Sequence, residues 1–387
     1  MPRPRHCEIA GAGIAGLSAA CVLASRGWSV RMHERTPELR ELGAGIFLKA
    51  NSLQVLRDVG ALPLVERTGL YMNESQIRDE RNRVLVRREI PGGSLLMTHR
   101  EDLLQALAQR ARELGVRIET GSAAVGASSE GLLLMADGRQ LEADLVVGAD
   151  GHRSAVRDSV GLLAEHRLLD DGTTRLLIPK LRYEVEPMTF EYWSKDCRVG
   201  VAACSRDQTY IYLTAPERNR PATAVPVDTA FWTSRFPMLG HVFDRITPDL
   251  GRHDQHAYVR ARAWSSGSVA IIGDSAIAQP PNLGQGAGLA IAMSWALGGY
   301  LDRSPDIRTA LREWEVRCRA AAEEIQLWSL RYGRIGCDWP KALLGLRSGL
   351  IWSLGHFGIT KRQWSRLAMG NPAHFVVNGR SQAKETA

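Results

Sequence analysis

The sequence predicts an α/β (α+β) fold in which a wound βαβ unit is interrupted by a mostly antiparallel sheet and followed by a helical C-terminal region. Three observations predict it. The first sixty residues alternate short apolar strands with helical spacing of apolar side chains. From about Arg167 to Arg262 the texture changes to short alternating runs with polar breaks, such as the stretch around Tyr210. Residues 269–272 then return to the buried-strand pattern, and the chain after Asp306 reads as helix.

The elements follow in order. Residues 8–10 open a short apolar strand, residues 14–26 carry apolar side chains at helical spacing, and Gly27 ends that helix as a C-terminal glycine does. Residues 29–33 read as a second strand with Val30 and Met32 on one face. Residues 51–59 predict a second helix closed by Gly60. Residues 100–114 predict a third, with Leu103, Leu104, Leu107 and Ala111 on its apolar side and Gly115 at its end. Asp137-Gly138 marks a hairpin turn, and residues 143–147 a buried strand. Six of the ten tryptophans fall between Trp295 and Trp364, where they read as packing anchors between helices. The basic, polar tail after Asn378 reads as frayed. The expected organisation is therefore interleaved: one domain from 1–72, 98–165 and 263–305, a sheet domain from 73–97 and 166–262, and helices over 306–387.

With 387 residues and 44% hydrophobic side chains, the chain can bury a large core. Lys plus Arg (49) exceeds Asp plus Glu (42), a modest positive field that suits dinucleotide phosphates or an anionic substrate. No long basic run or zinc-finger spacing supports nucleic-acid binding. The six cysteines form no C-x-x-C pair, so a reducing, cytoplasmic setting without disulfides is expected. The opening MPRPRHCEIAGAG runs straight into a strand, which argues against a cleaved leader. The late apolar stretch 342–359 is interrupted by Arg347 and His356, so no membrane span is expected. The HDQH run, His253 to His256, lacks metal-ligand spacing and reads as a surface loop, and no metal site is expected. Ser275 lacks the closing glycine of a nucleophile elbow, and no Walker loop is present.

Three motifs carry chemistry. Gly11, Gly13 and Gly16 stand in G-x-G-x-x-G spacing between a strand and a helix. The first permits a tight turn, the second lets backbone approach a pyrophosphate, and the third allows close packing of helix on strand. The helix N-terminus then offers free N–H groups to phosphate oxygens. Glu34, 23 residues after Gly11 at the end of the second strand, suits adenosine ribose hydroxyls and would repel a 2′-phosphate. The second motif, GADGHRSAVR (148–157), follows a buried strand and contains Asp150. The third, GDSAIAQPPNLGQGAG (273–288), places Asp274 where it could bond a polyol chain. Its Gly284, Gly286 and Gly288 lead into an apolar helix whose N-terminus could stabilise negative charge.

In this order and at these distances, the three motifs resemble the single-component FAD monooxygenases of the p-hydroxybenzoate hydroxylase type, over about residues 6–330. The resemblance implies a Rossmann-like FAD-binding domain interleaved with a sheet domain that binds substrate. It implies cofactor contacts from the glycine loop (Gly11, Gly13, Ile14, Ala15, Gly16) and from Glu34, Arg35 and Arg40. It adds Ala44, Gly45 and Ile46 in GAGIFLKAN, a segment that runs beside the isoalloxazine ring in this family. Further matches are Arg100 in THREDLLQAL, Val125, Asp150, Asp274, Gly284, Gly286, Ala287 and Gly288. Pro281 matches the proline at the flavin edge where oxygen reacts.

Within the family, LVVGADGHRSAVRDSVG, VPVDTAFWTSRFPML and QGAGLAIAMSWAL look like the hydroxypyridine-carboxylate oxygenases. On that likeness Arg175, Arg198 and Tyr210 fall at substrate-contacting positions, with Phe47 and Pro281 also facing substrate. Two arginines and a phenol suit a carboxylate or phenolate. Arg198, Tyr210 and Pro281 are the residues expected to serve the reaction. There are departures. Ile277 replaces the family's usual His, Lys49 and Ala50 replace a bulkier aromatic pair, and Asn73 stands where a pocket tyrosine is expected.

The family chemistry implies that NADH or NADPH reduces FAD, oxygen adds as a flavin hydroperoxide, and an electron-rich ring receives one oxygen atom, with or without ring opening. A single G-x-G-x-x-G leaves the nicotinamide no domain of its own, so transient binding is expected. The partners are then a small aromatic substrate and O2, in a monomer or homodimer. A flavin halogenase, a flavin reductase and a non-catalytic flavin redox sensor are the alternatives. The W-x-W-x-I-P segment of halogenases is absent.

Overall fold

The computed structural model describes residues 4–41, 44–180, 186–337 and 339–356. The expected helical stretch beyond 356, with Trp364 and the polar tail, lies outside the described residues, as does Gly43.

The first strand, His6–Ala10, is flanked on one side by Ser29–His33 and then Arg117–Glu119. On the other side lie Leu145–Gly148, Val269–Ile271 and Ser265–Ser266. All pairings except the last are parallel. The strands read as near-continuous apolar runs because helices cover the sheet. Helix Ile14–Ala24 is buried along almost its whole length between helices Arg100–Glu113 and Gly286–Arg303. Gly27, Gly60 and Gly115 each adopt positive φ just past a helix, as their spacing predicts. Asp137-Gly138 turns the hairpin between Leu132–Met135 and Gln140–Glu142.

The second large sheet has seven strands in the order Arg252–Ala261, Leu163–Pro179, Gln208–Pro216, Arg198–Ala203, Met188–Trp193, Glu74–Asp79 and Val84–Glu89. Only the contact between Met188–Trp193 and Glu74–Asp79 is parallel. Strand Leu163–Pro179 is longer than its broken sequence pattern suggests, because its register shifts across Leu168–Gly172 and lets one strand bend along two neighbours. The HDQH run is not a surface loop. It lies in strand Arg252–Ala261, and His256 is buried. A small sheet of Gly45–Lys49, Leu95–His99 and Leu70–Tyr71 sits between the two large ones.

Helix Ile307–Cys337 is the longest element at 31 residues, and it buries one side chain every three or four positions from Ala310 to Gly336. Trp314 is fully buried against Trp264, and Trp295 carries Arg26 on its ring face, as packing anchors should. Trp352 is instead exposed. No helix among the described residues is long and apolar enough to cross a membrane.

Candidate functional site

Gly11 sits at φ 93°, where only glycine is unstrained, and a Cβ there would lie 2.5 Å from the carbonyl oxygen of Ala149. The first and second motifs are thus pressed backbone to backbone. Gly16 packs on Gly11 in turn. Gly13, by contrast, has open space where a side chain would be. It ends in extended backbone at the N-terminus of helix Ile14–Ala24, which has no side-chain cap. The orphan N–H groups of that helix face a void. Helix Gly286–Arg303 repeats the arrangement, with open space at Gly286 and no side-chain cap.

Both helix ends open into one cavity of about 830 Å³. Of the expected residues, Gly13, Ile14, Ala15, Arg35, Arg40, Gly45, Ile46, Arg100, Asp274, Gly284, Gly286 and Ala287 line it. Phe47, Arg175, Arg198, Tyr210 and Pro281 line it too. Seven expected cofactor residues do not. Gly11 and Gly16 shape the loop from behind. Glu34 is half-buried, accepting from the Ala12 and Thr36 backbone N–H groups. Ala44 is buried, its carbonyl accepting from Arg100 N. Gly288 lies beneath the helix terminus near Ser52 and Gln285. Val125 is half exposed on strand Ala124–Ser128. Asp150 is a turn residue: its carboxylate accepts from Ser154 Oγ, Val156 N and Ser275 Oγ, which ties the second motif to the third.

The cavity fits FAD. It presents two uncapped helix N-termini for a pyrophosphate and a reduced flavin. It also presents the buried, unpartnered Oε1 of Gln279 and the carboxylate of Asp274. Asp274 faces the void. The protein mass around it pushes its pKa up, which Arg100 partly offsets.

The far end of the cavity is built by the seven-stranded sheet. Tyr210 is buried with its ring against Gly45, where a Cβ would come within 2.8 Å. Burial raises its pKa. Arg175 donates to Asp254 at 3.0 Å, and Arg252 pairs with the same carboxylate at 2.8 Å. Arg198 is 2% exposed and paired with Glu191 at 3.0 Å, while its other amino group bonds Asn282. Burial works against its charge, yet Cys337, Glu191, Tyr332 and Tyr212 outweigh it, so the pKa is raised.

Sequence reasoning missed several residues here. Glu191, Tyr332, Asn282, Lys49, Arg88 and His256 all line the cavity. His256 bonds Thr173 Oγ1 at 2.8 Å and faces Asp171 at 3.2 Å. Helix Ile307–Cys337 holds the turn that carries Pro281: Ser329 Oγ donates to Pro280 O, Asn282 Nδ2 donates to Ser329 O, and Gln326 Nε2 donates to Ala278 O. Tyr332 donates to Glu191 from the same helix face. The i, i+3 spacing of Gln326, Ser329 and Tyr332 was the available signal.

A nucleotide-binding sheet, a second sheet walling off an aromatic-lined chamber and a shared cavity between them define a flavin-dependent aromatic monooxygenase. A sequence profile of the FAD binding domain matches residues 6–304, and the chain belongs to that family. It is an FAD-dependent monooxygenase of the p-hydroxybenzoate hydroxylase type. Its relatives include the 2-heptyl-3-hydroxy-4(1H)-quinolone synthase of Mycobacteroides abscessus, 35% identical over 354 residues, which is 89% of this chain and 94% of that one. Among solved structures, the tetrameric form of 2-methyl-3-hydroxypyridine-5-carboxylic acid oxygenase superposes with a TM-score of 0.82 at 32% identity, covering 95% and 96% of the two chains. Klebsiella pneumoniae HpxO, complexed with FAD and uric acid, shares the fold at 19% identity and a TM-score of 0.82, over 96% of this chain and 97% of that one.

Proposed function

We propose that this enzyme uses NAD(P)H and O2 to insert oxygen into an anionic hydroxy-aromatic or N-heteroaromatic ring bound between Tyr210, Phe47 and the Pro281 turn. The observation that carries this reading is the continuity of the cavity. The void that begins at Gly13 runs without a wall past Pro281 to Tyr210 and Arg198. A flavin anchored by its pyrophosphate at Gly13 therefore reaches the aromatic chamber. When bound, FAD supplies the redox and oxygen chemistry. The protein's own contribution is to hold the ring in place and keep water out. Gly13, Arg35, Arg40 and Arg100 would hold the ADP half, Asp274 the ribityl chain, and the N-terminus of Gly286–Arg303 the pyrimidine end.

The named product of the quinolone synthase relatives carries both a bicyclic nitrogen ring and an alkyl chain. Ile77, Val86, Ile90 and Leu95 form a matching apolar wall in this cavity, so rings with an apolar substituent belong among the substrates. The test is a panel of hydroxypyridines, 4-quinolones, indoles and phenolic acids. Purified protein should be yellow, and the right ring should stimulate both NAD(P)H oxidation and O2 uptake. A product heavier by one oxygen atom means hydroxylation, and one heavier by two means ring cleavage. Protein that neither carries nor takes up flavin would refute the reading. A redox sensor is distinguished by the absence of stimulated O2 uptake.

A further inference from the structure

We propose that Arg88, beside Lys49, is a second anion-binding subsite, and that it takes the acidic oxygen (carboxylate or ring oxide) of the substrate. This rests on the aromatic-monooxygenase reading above and moves the charge-recognition role away from Arg175 and Arg198.

The cavity lining holds eight Arg or Lys side chains and four Asp or Glu. A pyrophosphate accounts for about two of the excess positive charges, which leaves room for another anion. The arginines expected to meet an anionic ring are already matched. Arg198 carries Glu191, and Arg175 and Arg252 share Asp254. Arg88 differs from them: it lines the cavity and has no hydrogen-bond or ion-pair partner for its guanidinium among the described residues. An uncompensated guanidinium held partly out of water is costly unless an anion completes it.

Its position fits a substrate role. Arg88 lies on strand Val84–Glu89 opposite Ser75. Val86 and Arg88 share one face by the two-residue period of the strand, with Ile77 opposite Val86. The cation is therefore set in an apolar wall. Lys49, 7% exposed, comes from the strand that also carries Phe47, and its Nζ donates to Leu283 O at 2.8 Å in the Pro281 turn. Burial, with Arg88 as a neighbouring charge, lowers the Lys49 pKa to about 7. Two cations close enough to repel, on elements that flank the aromatic chamber, suit an acidic oxygen on an otherwise apolar ring. A charge-assisted bond there discriminates far better than apolar contact does.

The test uses the full-length, FAD-loaded protein and matched probes read by titration calorimetry. The carboxylate arm compares quinoline-4-carboxylate with quinoline-4-carboxamide, and the ring-oxide arm compares ionised 4-nitrophenol with 4-nitroanisole. Wild type should bind at least one acid more tightly than its neutral twin. Arg88→Gln should weaken that acid about 10- to 100-fold and leave the neutral twin within twofold. Arg88→Lys should recover part of the loss. The proposal is overturned if acid and twin weaken together, if neither changes, or if wild type prefers no acid. Flavin content is scored separately by absorbance. Loss of flavin from wild type would refute the monooxygenase reading, while the calorimetry still decides the subsite.

Discussion

A lysine buried in a protein chamber costs stability until it gives up its proton. The folded pKa of Lys49 is about 7, against an ordinary value of 10.5, chiefly through burial. Below pH 7 it is charged in both folded and unfolded chains, so the full penalty is present. Between pH 7 and about 10.5 only the unfolded chain holds the proton, and the penalty fades as pH rises. Lys49→Met should therefore raise the melting temperature strongly at pH 6 and by progressively less towards pH 10, at about 1.4 kcal/mol for each tenfold in proton affinity. A pH-independent gain would mean that packing, not charge, is responsible. Arg198→Ala leaves Glu191 with the Tyr332 hydroxyl but no cation and should cost on the order of 3–5 kcal/mol, whereas a double exchange of Arg198 and Glu191 for Met should recover most of it in chemical denaturation. Gly11→Ala meets both the φ penalty and the Ala149 carbonyl, so it should lower stability by several kcal/mol and abolish flavin retention. At this scale Gly11 and Gly16 were legible, because close backbone contact admits one residue type. The pairing of Arg198 was not, since Trp193 stands opposite it and Glu191, opposite Gly200, meets it on a diagonal of a register that the residues alone do not set.

Among the elements, strand Arg252–Ala261 departs most from expectation. Strand Arg252–Ala261 carries His253, Asp254 and His256, which mimic a solvated loop. Their partners are Thr174 and Glu217, Arg175, and Thr173 with Asp171. A polar strand facing a polar chamber has the composition of a surface. Helix Ile307–Cys337 was legible from its apolar period, but the targets of its polar stripe lie tens of residues to more than a hundred away in sequence. Removing the stripe should act on the reaction more than on the cofactor. Ser329→Ala with Gln326→Leu should keep the flavin spectrum, lower kcat several-fold and raise the fraction of NAD(P)H oxidised without product. Unchanged coupling between NAD(P)H and product would show that the Pro281 turn holds itself.

For the whole molecule, the alternation of strands and helices and the glycine loops were readable because each rests on local pattern. The cavity was not, because its wall is assembled from all seven strands of one sheet, the strand Gly45–Lys49 and a helix at the other end of the chain. We propose that the boundaries near 72, 98, 165 and 263 separate units that communicate chiefly through bound FAD. Saturating FAD at a hundred times its dissociation constant should then stabilise the protein by about 2.7 kcal/mol. It should also merge any separate melting steps into one, as read by calorimetric scanning. Two steps that persist with FAD would count against it.

The match to the FAD-binding family ends at 304, yet the grip on Ala278, Pro280 and Asn282 comes from residues 326 and 329. The reactive edge and the nucleotide cradle thus answer to different parts of the gene. Drift in the C-terminal helix can retune how a ring is presented while the glycine loops stay fixed, so exchanging 305–356 between relatives should transfer ring preference without transferring cofactor affinity.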